Sequence, residues 1–257
     1  MTLSNTNTAG RTPRTAIRTT ALIAGVLYLM TFIFSIPVKF GLWKEVLNNP
    51  DFILGAGSAS GVRLGAIFEV ITALAGIGTA VALYSVARRQ SERAALGFVT
   101  SRVLEATMIF VGVLSVLTVL TLRTDVAGTA GADPSSLLIT GDALIAIHNW
   151  TFLIGPGLMA AVNAFCLASV MYRSRLVPRI IPTIGLIGAP LLLASCIATL
   201  FGAFDQISGP AALLALPIAA WELSLGLWMT FKGFRPAEIT TTTTPILEPL
   251  SPAYAAA

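Results

Sequence analysis

Apolar residues fill this chain in runs of 18 or more, separated by short polar breaks. Runs of that length are the signature of helices that cross a bilayer, because only a helix satisfies its own backbone there. The pattern predicts an all-α, polytopic membrane bundle of six transmembrane helices. They run from Thr20 to Val38, Leu64 to Ala87, Ala94 to Leu122, Gly141 to Met171, Ile180 to Ala203 and Ala211 to Phe231. The domain organisation expected is a disordered polar arm over 1–19, a six-helix membrane domain over 20–232 and a disordered tail over 233–257, with no pattern able to fold at either end. The arginines before the first run resemble those of a signal peptide. That run lacks a small-residue cleavage pattern, so a retained helix is expected.

The breaks carry their own signals. Trp43 and Lys44 suit a membrane interface. Gly55 to Gly61 is small enough to fold over the bundle as a lid, and Asp133-Pro134-Ser135 reads as a helix start. The third and fourth spans are longer than a bilayer requires. Gly155-Pro156-Gly157 is expected to bend or break the fourth, either as a packing kink or as the frame of a binding site.

Composition agrees with the pattern: 55% of residues are hydrophobic and only 11% charged. The net charge of +4 does not signal nucleic acid, because the charges are sorted by loop. Arg11, Arg14, Arg18, Arg88, Arg89, Arg93, Arg173, Arg175, Arg179, Lys232 and Arg235 all fall on one side, eleven of the sixteen basic residues. Lys39, Lys44, Arg63 and Arg123 lie opposite, among Glu45, Asp51, Asp125, Asp133, Asp142 and Asp205. Under the positive-inside rule both termini are cytoplasmic, in a multi-pass protein of the cell membrane. Cys166 and Cys196 fall in apolar segments and read as small buried hydrophobes.

Glu69, Glu105, Glu222 and Arg102 sit inside the apolar runs, where a charge costs roughly 2.5–3.5 kcal/mol to insert. Counted from the basic side at about 1.5 Å per residue, Arg102, Glu105 and Glu222 reach roughly 14, 18 and 15 Å, a shared level near the midplane. Arg102 and Glu105 share a helix face at a spacing of three. Glu69 lies nearer the other side, and His148, with Asn149 and Trp150 beside it, marks an outer mouth rimmed by Arg63 and Asp142. One arginine cannot neutralise three glutamates, so at least one of them is expected to hold its proton. No Glu-x-x-His or His-x-x-x-His spacing supports a metal site, and no cofactor is implied.

These residues predict an intramembrane polar site. Glu69, Glu105, Glu222 and His148 are its candidate acid/base groups. Arg102, Arg63, Asn149, Trp150 and Asp142 are its candidate binding groups. The expected partners are the bilayer and a lipophilic, lipid- or isoprenoid-like small molecule, bound and converted by acid/base chemistry as in a membrane-embedded cyclase. Two alternatives stand beside it: a proton-coupled small-molecule transporter, for which the internal-repeat signal is weak, and a structural or accessory protein whose buried charges only join helices.

Several stretches carry a family resemblance. They are Gly25-Val26-Leu27-Tyr28-Leu29, Asn49-Pro50-Asp51-Phe52-Ile53-Leu54-Gly55, Ser101-Arg102-Val103-Leu104-Glu105, His148-Asn149-Trp150-Thr151-Phe152-Leu153, Tyr172-Arg173-Ser174-Arg175-Leu176-Val177-Pro178 and Trp221-Glu222-Leu223-Ser224-Leu225-Gly226. Over about residues 16–235 the chain resembles the bacterial six-span family catalogued as domain of unknown function 4386. The resemblance implies a fold and a bacterial source, not an activity.

Overall fold

The computed structural model describes residues 13–235; the remainder of the polar arm and of the tail lies outside the described residues. Eight α-helices follow in order: α1 Pro13–Pro37, α2 Lys44–Asn48, α3 Ala59–Ala87, α4 Glu92–Asp125, α5 Pro134–Phe152, α6 Ala160–Ser174, α7 Ile180–Leu200 and α8 Gly209–Phe231. A π turn, Val38–Leu42, extends α1, and a second, Leu153–Met159, joins α5 to α6. Six continuous helical segments are therefore long and apolar enough to cross a membrane.

Three local outcomes depart from the sequence-based expectation. The first helix is already present at Pro13, the first described residue, rather than beginning at Thr20, because Arg14 to Thr19 continue the helix beyond the apolar run. Gly155-Pro156-Gly157 does not break the fourth span: the π turn widens the helix where Pro156 has no N–H to give, and the helix runs on to Ser174. The Gly55 to Gly61 segment is pinned rather than free. Arg123 donates to the carbonyls of Gly55, Ala56 and Gly57 at 2.8, 2.6 and 2.9 Å, and Phe52 and Ile53 are buried beneath. The predicted start at Pro134 is present, with Asp133 accepting from the backbone N–H groups of Ser135 and Ser136. Those bonds, led by one from the Ser136 hydroxyl, hold the Asp133 carboxyl below the usual carboxylate range.

The spans pack as a closed ring: α1 on α3, α3 on α4, α4 on α5 and α6, α6 on α7, α7 on α8, and α8 back on α1. The residues are sorted by size. Ala21, Ala24, Ala80, Ala160, Ala164 and Ala168 are buried, while Ile33, Val81, Leu114 and Leu213 point outward. Lipid solvates the large side chains, so the helices approach through small ones. Gly25 shows the consequence: a Cβ there would lie 2.5 Å from the backbone N of Thr230 and 2.8 Å from the backbone O of Gly226.

Two larger apolar cores and a small third one, at Ala87, Ala95 and Val170, result. One gathers Tyr28, Leu83, Phe98, Met171, Trp221 and Leu225 near the basic end. The other gathers Trp43, Phe52, Ile53, Val62, Val116 and Leu137 at the opposite end. Trp43 is buried there rather than interfacial, its indole N–H donating to the carbonyl of Val62 at 3.1 Å. Both described ends emerge on the same face: Arg18 Nη1 donates to the carbonyl of Lys232, and the backbone N–H of Arg235 donates to the carbonyl of Leu176. Replacing Gly25 by Val should force α1 off the backbone of α8 and cost about 1–3 kcal/mol, read as a lower melting temperature in detergent; an unchanged melt would contradict the close α1–α8 crossing.

Candidate functional site

Arg102 lies between the two cores and is only 4% exposed. Its Nη1 donates to Glu105 Oε1 and Oε2 at 3.1 and 2.9 Å, and its Nη2 donates to Glu222 Oε1 at 2.7 Å. The shared depth and shared helix face inferred from the sequence thus close into two ion pairs. Asn163 of α6, fully buried, donates its Nδ2 to Glu105 Oε2 at 2.6 Å. The Tyr28 ring of α1 lies 5.2 Å from the Arg102 guanidinium carbon, within cation–π range. Asn163 and Tyr28 escaped the sequence reading because neither carries a charge; an amide inside the apolar run of α6 was the available signal.

Beside this cluster is a cavity of about 210 Å³. Arg102, Glu105 and Glu222 form its floor, and Glu69 and Lys39 stand in its wall. The other lining comes from α1, the two π turns, α3 through Thr72, Ala73 and Gly76, α5 and α6 through Phe152 and Ala160, and the apolar faces of α4 and α8. Lys39 is a second residue that the sequence placed elsewhere. With the first span ended at Val38 it fell in a loop, whereas the π turn continues the helix and carries it into the wall. Its Nζ lies 4.0 Å over the Phe152 ring.

A smaller cavity of about 50 Å³ adjoins the first and shares Lys39, Glu69, Ile109, Phe152 and Pro156 with it. His148 and Asn149 line it, and His148 packs edge-on against Trp43 at 5.4 Å between ring centres. His148, Glu69 and Arg102 thus line two cavities that share part of their walls. The rim residues do not join them: Arg63 is exposed and lines neither cavity. Asp142 lines a separate cleft with Asn48 and Asn49. Trp150 lies half-exposed in another, beside Asp205 and Gln206. Among the described residues no three His, Cys, Asp or Glu side chains form a metal-holding group.

The three glutamates differ in what they have left to offer. Glu105 is held by Arg102 and Asn163 together. Glu222 receives Arg102 on Oε1, which leaves Oε2 open. Glu69 accepts no hydrogen bond among the described residues, and Lys39 acts on it only through its charge. A carboxyl in that state is the one free to meet a ligand or exchange a proton.

Residues 23–233, which include most of α1 and all the later spans, match the family described as Domain of unknown function (DUF4386). The chain belongs to that family. No curated protein and no solved structure matches it. For this DUF4386 protein the site must accordingly be read from its own geometry.

The ion pairs make a stability prediction. Arg102→Met leaves Glu105 and Glu222 buried without a counter-charge and should cost about 3–5 kcal/mol. Glu69→Gln breaks no hydrogen bond and should cost less than about 1 kcal/mol. Thermal unfolding of the two variants in the same detergent checks the contrast; equal losses would mean that Arg102 is not the anchor.

Proposed function

We propose that this multi-pass membrane protein holds a lipophilic small molecule in the larger cavity, with a polar end at Glu69 and Glu222 and an apolar body toward the lipid. The observation that supports this is the change of character along the cavity wall. Its floor is charged, while Ile36 and Phe40 line the same cavity and are 50% and 70% exposed on the lipid-facing side of the first span. A molecule arriving from the bilayer would meet apolar surface first and charge last. Pockets that combine a mostly apolar lining with a few convergent polar groups are the usual form of a ligand site.

In this reading Arg102 and Glu105 shape the floor, and any acid/base step on the bound molecule falls to Glu69, with Glu222 Oε2 as its partner. His148 and Asn149 belong to the smaller cavity and act on a ligand only if it extends past Phe152. The excess of basic residues at one end of the bundle supports that end facing the cytoplasm, in the cell membrane. One set of contacts favours a second role for part of the cluster. Arg102, Glu105, Asn163 and Glu222 tie α4, α6 and α8 together, which is what polar glue between helices does.

Mass spectrometry of small molecules retained by the protein in nanodiscs tests the proposal. Wild type should carry a defined lipophile above the bulk phospholipid, and Glu222→Gln should retain several-fold less while still folded. If both carry bulk phospholipid alone, the binding role is lost, and a lower melting temperature for Glu222→Gln would then leave the cluster as glue.

A further inference from the structure

Charge inventory narrows the ligand of this site, on the footing that the cavity binds a lipophile at all. Three carboxyls, Glu69, Glu105 and Glu222, face two cations, Lys39 and Arg102. Arg102 is already committed to Glu105 and to one oxygen of Glu222. Lys39 lies against the Phe152 ring and makes no ion pair with Glu69 within 4.0 Å. The wall therefore presents both Glu69 oxygens and Glu222 Oε2 without a donor, beside the phenyl rings of Phe32, Phe40 and Phe152.

Thr72 Oγ1 and Arg102 Nε are buried, line the same cavity and have no hydrogen-bond partner. Water can supply the oxygen that these two groups lack. It cannot supply the one positive charge by which three carboxyls outnumber two cations. Without that charge one carboxyl keeps its proton, because an uncompensated carboxylate is costly at this depth, and a bound cation lets that carboxyl ionise. Aromatic faces are attractive to cations and indifferent to neutral heads.

We propose that the cavity selects a lipophilic amine: a cationic nitrogen between Glu69 and Glu222, its hydrocarbon part against Phe32, Phe40 and Ile36. The cavity, at about 210 Å³, admits a small ammonium head with a short apolar stem, not a whole two-chain lipid.

Three probes of similar length but different charge test this with the full chain in nanodiscs. They are octyltrimethylammonium, its neutral carbon isostere and decanoate, each corrected for binding to empty nanodiscs. The ammonium should bind at least ten-fold more tightly than the other two. Glu69→Gln should weaken it about ten-fold with the fold intact, because that substitution breaks no hydrogen bond. Lys39→Met should strengthen it several-fold by removing a competing cation. Equal or tighter binding of the isostere or the carboxylate would overturn the amine assignment and leave a lipophile site standing. If no probe binds, the amine assignment falls; a wild-type protein carrying only bulk phospholipid would then take the binding reading down with it.

Discussion

A guanidinium in the middle of a membrane bundle must be answered by carboxylates from more than one direction, and much of this structure follows from that need. Arg102 has one local partner, Glu105, supplied by its own helix at a spacing of three. The second comes from Glu222, 120 residues later in the chain. Breaking such a pair leaves a charge where water cannot reach it, so α8 must return to the level of Arg102 and present Glu222 there. Asn163 extends the constraint to α6 by filling a remaining lone pair of Glu105. The bundle is closed by its polar centre as much as by its apolar surfaces.

The same centre divides the interior. Above and below it the helices touch through alanine and glycine and leave little space, as at Gly25 against Thr230 and Gly185 against Trp221. Between the two apolar cores the side chains are long and polar, and they cannot interdigitate as closely as small apolar ones. Space remains beside Arg102, and Glu69 and Lys39 border it from α3 and the π turn after α1. The cavity is thus a consequence of where the charges were put, not an independent feature.

The legible part of this molecule was the part written in charge and length. Six apolar runs gave six spans, and counting residues from the basic loops placed Arg102, Glu105 and Glu222 at one depth, where they pair. Neutral polar residues gave a weaker signal. Asn163 sits in an apolar run where nothing marks it as a partner of Glu105, and Trp43 looked interfacial because burial cannot be read from a tryptophan in a loop. Lys39 was misplaced for a different reason. Pro37 reads as a helix end, yet a π turn lets the helix continue past it. Arg63 and Asp142, read as a rim, line neither of these two cavities, because depth along a helix says nothing about which way the helix faces.

The two π turns border the cavity from opposite sides, Lys39 and Phe40 from one and Pro156 from the other. A π turn inserts a residue into the helical repeat, rotates every side chain beyond it, and weakens the local hydrogen-bond ladder. Both costs would be selected against in a span whose only task was to cross the bilayer. Here they buy position: the first carries Lys39 into the cavity wall, its ammonium over the Phe152 ring, and the second places Pro156 in the same wall. Both turns line the space where the two cavities meet, Lys39 from one and Pro156 from the other. A helix that only held the bundle together would gain nothing from irregular turns at that level. One that must let a molecule past Lys39 and Phe152 would gain a wall able to give way.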